Sequence, residues 1–395
     1  MTSEEIRIAK LRFRDDLFND TLPFWLDRCI DEEHGGYFTA FDRDGTRLQT
    51  DKSVWFQGRF AWMLATIADQ VDPREYWLKQ ARSGIDFLTR HCIDRDGRYF
   101  FLVTRDGQPL RKRRYVFSEC FAAMAYAAYG KAADSDEHLQ MAIDLFRNIR
   151  HYTGPDSKLP PKINPRVRAM KSLATPMILI GVGQEVRKAT HLQDCNEVID
   201  HCIEEIRRDF MKEDLDCVLE NVGMRGEVID TFDGRLVNPG HSIELAWFLM
   251  EEARQRDLPD VASLGQQILD WSLELGWDRQ HGGLYYFRDC QGLPCAEYWH
   301  DMKFWWPHAE AIIATLLAWR MTGDDKYWNW HKTIFDWSYE HFADPEFGEW
   351  FGYLHRDGSL SSTMKGNQWK GPFHLPRMQF YCWQLLEEVI HAQPV

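Results

Sequence analysis

The chain's 395 residues are 44% hydrophobic and 14% aromatic, which excludes a disordered polymer and supplies side chains for a sizeable core. Its 47 basic and 61 acidic residues leave a net charge of −14, which argues against a nucleic-acid backbone or an anionic membrane as partner. The opening MTSEEIRIAKLRFRDD lacks an uninterrupted apolar run, and no later stretch is long and apolar enough to span a bilayer, so neither a secretory signal nor a membrane span is expected. Nine scattered cysteines without a paired CxxC point away from zinc and towards reduced thiols in a cytoplasmic protein.

In chain order, apolar residues at helical spacing predict helices over 4–29, 54–71, 74–92, 116–132, 135–150, 171–188, 192–211, 240–255, 260–276, 305–321, 325–342 and 375–391. A phrase recurs between them: Asp31-EEHGGYFTAFDRDG, Asp278-RQHGGLYYFRDCQG and Asp344-PEFGEWFGYLHRDG, with a degenerate copy from Ile93. Its glycine turns and alternating aromatic residues predict short β-hairpin loops. Twelve helices make six hairpins, enough to close a ring. The even-numbered helices are apolar most of the way round and should form the inner ring of an all-α (α/α)6 barrel, with the charged odd-numbered ones outside. No Pro/Gly/Ser-rich linker divides residues 1–395, so one domain is expected.

Unusual polar residues fall in or beside the first turns of the inner helices, which share one end of such a barrel. Arg59 follows Trp55-Phe56-Gln57-Gly58, and Glu119 follows Phe117-Ser118. His241 follows Asn238-Pro239-Gly240; Pro307 precedes His308 and Glu310; Pro376 is flanked by His374 and Arg377. A histidine at a helix N-terminus feels the positive end of the backbone dipole, which keeps the ring neutral and able to accept a proton. Two such rings facing one pocket from different helices, His241 and His374, suit proton removal from one face of a carbon and return to the other. Arg59 and Arg377 would hold a sugar oxygen or a developing enediolate. Glu220 and Glu310 would orient a histidine or bind hydroxyls.

Each of these residues also has a structural reading. Histidines near helix starts cap and pack; His308 can pack in its Trp-Trp-Pro-His turn; Arg59 can stack on tryptophans; Glu119 and Glu220 can bond to neighbouring loops. His34 and His281 recur at one repeat position and are read as structural. Most of the 17 tryptophans must be core, with Trp55, Trp305, Trp306 and Trp369 near the proposed mouth as candidates for sugar stacking. No HExxH motif, thiol pair or phosphate loop is present, so no metal or required cofactor is expected.

Val54-WFQGR, Asn238-PGHSIELAWF, Trp305-WPHAEA and Lys370-GPFHLPR together resemble the N-acylglucosamine 2-epimerase family along nearly the whole chain. The resemblance implies an (α/α)6 barrel that interconverts N-acetylglucosamine and N-acetylmannosamine. It implies His241 and His374 as the catalytic pair, with Arg59, Glu310 and Arg377 as the other essential groups. Glu119, Glu220, His308, Trp55 and Trp306 complete the expected substrate contacts. It further implies a homodimer and, in some members, ATP as an activator, for which no nucleotide motif is found here. Lys171-SLATPM lacks a histidine associated with some members, which bears on substrate specificity. Three other readings remain open: an epimerase of unacetylated sugars or an aldose–ketose isomerase; an inverting glycosidase using two of Glu119, Glu220 and Glu310; and a non-catalytic sugar- or protein-binding module.

Overall fold

A computed structural model of the chain describes residues 3–154, 157–161 and 163–392. Among them, α-helices run in the order α1 (Ser3–Asp16), α2 (Leu22–Cys29), α3 (Val54–Gln70), α4 (Glu75–His91), α5 (Phe117–Ala132), α6 (Asp136–Thr153), α7 (Ala174–Thr190), α8 (Asp194–Glu205), α9 (Pro239–Arg256), α10 (Pro259–Gly276), α11 (Trp305–Thr322), α12 (Asp325–Phe342) and α13 (His374–Ala392). The expected first helix is split by a π-helical turn, Leu17–Thr21, in which the Leu22 N–H reaches back to the Leu17 carbonyl. Pro23, which cannot donate to the helical ladder, stands just beyond it. A second π turn, Ile206–Phe210, finishes the segment expected as 192–211.

Helices α3, α5, α7, α9, α11 and α13 pack side by side in that order, and Phe373, the residue just before α13, closes the ring by meeting Trp62 of α3 at 5.5 Å. Helices α4, α6, α8, α10 and α12 each pack outside the inner helix that precedes them, while α1 packs on α13. The two ends of the chain therefore supply the sixth pair of an (α/α)6 barrel. Composition explains the layers. Helix α11 buries residues all round, including Ala309, Ile312, Ile313 and Leu316, whereas α6 buries one stripe, Ala142, Leu145, Phe146 and Ile149. Gly58 lets α3 close on α5, since a Cβ there would lie 2.7 Å from the Phe121 carbonyl carbon.

Three of the repeated phrases form the same turn, with antiparallel bridges Ile30 to Tyr37, Trp277 to Leu284 and Ala343 to Trp350, and the degenerate copy forms a turn one residue shorter, bridged from Ile93 to Tyr99. In two copies a pair of left-handed glycines makes the turn, Gly35-Gly36 (φ +74° and +68°) and Gly282-Gly283 (φ +71° at both). In the three full copies the opening aspartate binds a buried lysine and an arginine from the next loop around the ring: Asp31 with Lys52 and Arg105, Asp278 with Lys303 and Arg356, Asp344 with Lys365 and Arg43. Arg43 belongs to the first loop, so the last of these pairings ties the C-terminal loop to the N-terminal one across the seam of the ring. His34 and His281 give backbone N–H groups to Asp31 and Asp278, a structural role. Among the described residues no helix is long and apolar enough to cross a membrane.

Candidate active site

All six inner helices contribute to a cavity of about 680 Å³ at one end of the ring, within the usual range for small-molecule sites. Eight of the expected residues stand in its wall: Trp55, Arg59, Glu220, His241, Trp305, Trp306, Trp369 and His374. His241 is presented by the start of α9, where Pro239 takes the first helical position and the Asn238 side chain accepts the His241 backbone N–H at 3.1 Å. Its Nδ1 lies 2.9 Å from Glu220 Oε2. The Glu220 backbone is fixed on both sides, its N–H to Leu236 O at 2.8 Å and its carbonyl to Leu173 N at 3.0 Å.

His374 opens α13, and its Nδ1 lies 2.7 Å from Glu310 Oε1. Glu310 also accepts from Trp247 Nε1 at 2.8 Å and pairs with Arg377 at 2.6 Å, and Arg377 reaches Glu244 at 2.5 Å. Burial pushes the His374 imidazole well below its ordinary value, with Arg377 and Arg59 adding to the shift, so the ring is neutral at physiological pH. The Arg377 guanidinium stays charged because Glu310 and Glu244 outweigh the desolvation that would lower it. The indole of Trp306 touches both histidines, with centroids 5.2 Å from His241 and 5.6 Å from His374. Arg59 lies against the rings of Phe121 (4.0 Å), Phe373 (4.8 Å) and Trp55 (5.1 Å). Desolvation lowers it to about 9, still cationic at neutral pH.

Four expected substrate contacts lie elsewhere. Glu119 is sequestered by Arg98 at 2.5 Å and by the Tyr99 backbone N–H at 2.9 Å. His308 is fully buried, accepting the Leu284 N–H at Nε2 (2.8 Å), donating from Nδ1 to Phe304 O (2.7 Å) and stacking on Trp337 at 4.9 Å. Both point into the loops that run over the helix starts rather than into the cavity. Glu310 and Arg377 stand behind His374 and act on it from the protein side. The sequence reading missed Glu244 in the cavity wall, although its place three residues after His241 puts it on the same helix face. It also missed Tyr286, Trp299 and Tyr353, which arrive from loops. Glu244, Glu310 and His374 bring ligand-type atoms within 4.8 Å of one another, as a metal site would. Arg377 bonds both carboxylates and supplies the positive charge there.

The N-acylglucosamine 2-epimerase family model matches residues 36–374. The chain belongs to this family. An N-acylglucosamine 2-epimerase of Bos taurus is 36% identical over 401 residues, covering 98% of this chain and 93% of that protein. A solved cellobiose 2-epimerase from Bacillus thermoamylovorans B4167 superposes with a TM-score of 0.83 at 20% identity, over 97% of this chain and all of that one. A D-mannose isomerase structure superposes at 0.80 with 18% identity, over 96% and 98%. Membership of the N-acylglucosamine 2-epimerase family makes the chain a carbohydrate isomerase of the epimerase class. The two structural likenesses carry the barrel only, since proteins named for different reactions share it.

Proposed function

We propose that the protein interconverts N-acetylglucosamine and N-acetylmannosamine by moving the C2 proton between His241 and His374. The observation that carries this is the pairing of each cavity-wall histidine with its own carboxylate, Glu220 at 2.9 Å and Glu310 at 2.7 Å, with one indole touching both rings. A carboxylate on Nδ1 selects the tautomer that donates there and leaves Nε2 as the basic nitrogen. In the open-chain sugar the C1 aldehyde acidifies the C2 proton. One imidazole takes that proton, the C–H electron pair moves into the C1–C2 bond, and the carbonyl oxygen becomes an enolate. Arg59 supplies a fixed positive charge at the cavity wall for that oxygen. The other imidazole, protonated, returns a proton to the opposite face of C2, and the carbonyl re-forms. The neutral state of His374 suits the accepting role.

The glycosidase reading loses support because Glu119 and Glu310 are engaged away from the cavity. The reading is tested by proton NMR in D2O, with N-acetylmannosamine, N-acetylglucosamine, mannose and fructose supplied separately, with and without ATP. Interconversion of the N-acetylhexosamines with deuterium at C2 is the expected result. Exchange confined to mannose with glucose or fructose would replace the substrate assignment. His241→Ala or His374→Ala retaining wild-type turnover would overturn the two-base mechanism.

A further inference from the structure

The third copy of the repeated turn departs from the first two at its second glycine. Gly36 and Gly283 hold the second left-handed position in their copies, whereas the third places Glu349 there, at φ +60°. A side chain is disfavoured in this region by its Cβ, and Glu349 is also almost fully buried. Its carboxylate is fully engaged: Oε2 accepts Trp25 Nε1 at 2.6 Å, and Oε1 accepts the Trp350 backbone N–H at 2.8 Å and Lys370 Nζ at 2.7 Å. Lys370 is buried as well and lies 5.5 Å from the Trp305 ring, beside which His374 stands.

Comparison of the three copies gives the reason. In the first, the N–H after the second glycine, on Tyr37, is accepted by Gln57, the fourth residue of α3, at 2.7 Å. In the second, the Leu284 N–H is accepted by His308, the fourth residue of α11, at 2.8 Å. The fourth residue of α13 is Arg377, which has no acceptor to offer and is turned towards Glu244 and Glu310. Glu349 takes the orphaned N–H on itself. The third copy also carries a longer link. The repeat lysines Lys52 and Lys303 stand two residues before their inner helices, but Lys365 is followed by residues 366–373 before α13 begins. Lys370 anchors that insertion, and Phe373 at its end lies against both Arg59 and Arg377.

We infer that Glu349 is a positioning residue for His374: its carboxylate replaces the repeat's usual backbone acceptor, releasing Arg377 to the active site, and its ion pair with Lys370 fixes the strap from which His374 is presented. This rests on the reading of His374 as a proton-transfer residue.

The test compares Glu349→Gln, Lys370→Met and the double variant with wild type and with His374→Ala, reading C2 deuterium exchange, kcat, KM, thermal midpoint and the pH profile. Each single variant leaves a buried group without its partner and should lower the midpoint. The double variant removes both charges and should recover the midpoint, while kcat stays down by about tenfold or more, as expected of a displaced base, with KM little changed. The acid limb of its kcat profile should move to higher pH as His374 becomes better solvated. Trp25→Phe, which removes one donor to Glu349, should lower kcat less and serves if the double variant does not fold. A double variant or Trp25→Phe with wild-type kcat and pH profile, beside an inactive His374→Ala, overturns the positioning role alone. An active His374→Ala overturns the reading on which it rests.

Discussion

At the start of α11, His308 takes one backbone hydrogen bond at each ring nitrogen, which fixes it as the neutral tautomer with the proton on Nδ1. Burial pushes its pKa down to about 3. Because that value is depressed, its contribution to stability is fully present above the unfolded pKa near 6.5 and is lost as pH falls towards 3. His308→Gln puts at this site the residue found at the matching position of α3, an amide able to accept the same N–H. We expect it to stay active and to flatten the loss of thermal midpoint between about pH 6.5 and 4, measured by calorimetry against wild type. A variant with the wild-type slope would show that His308 is not the group responsible. At the cavity wall, Glu220→Gln should keep the fold, since its backbone anchors remain, and lower kcat about 10-fold to 100-fold by weakening tautomer control of His241, as read in the C2 exchange rate.

Pairs of elements approach closely where side chains are small. Gly58→Ala would press a methyl carbon to within 2.7 Å of the Phe121 carbonyl carbon, and with backbone on the other side it has little room to move. A cost of about 1–3 kcal/mol in a chemical denaturation series is expected, larger than for an exposed helical glycine. The hairpin loops are tied by the aspartates. Against the desolvation that would raise it, Arg43 and Lys365 hold Asp344 well below the usual carboxylate range. That stabilisation is present above about pH 4, the unfolded value, and is lost on further acidification. Asp344→Asn leaves Lys365 buried without its carboxylate and should cost about 3–5 kcal/mol at pH 7, with the difference from wild type shrinking below pH 4.

Across the whole molecule, the N-terminal helix supplies the outer layer for the C-terminal one, and Arg43 binds Asp344 across the same seam. Deletion of residues 1–29 would expose the flank of α13, the helix that begins with His374. We expect the truncated chain to be insoluble or inactive, judged by size-exclusion chromatography and C2 exchange. Helix periodicity reached this far because it is local. An inner helix is apolar on all sides wherever it sits, so the two layers and the number of hairpins were legible from the sequence, as were His241 and His374, marked by Pro and Asn at helix starts. Periodicity could not say which face of an inner helix meets the cavity and which meets a loop. His308 and Glu310 are two positions apart, yet one accepts from a loop and the other holds a catalytic candidate. Trp55 and Glu119 likewise both come from first turns, and only Trp55 reaches the cavity.

The repeats themselves determined more than the fold. Aligning the three phrases shows a glutamate where glycine is the rule, a signal present in the sequence before any coordinates. Its meaning depended on partners far along the chain: Trp25 lies 324 residues away, and Lys370 reaches it only because an inserted strap folds back under Trp305. Sequence by itself determined which segments are helical, which faces are apolar and which residues stand at helix starts, because backbone hydrogen bonding and burial act over a few residues. Only the tertiary structure decided which carboxylate serves which histidine, which polar side chains are consumed by loop backbone, and where the ring closes, because each of those depends on groups brought together by packing between distant helices.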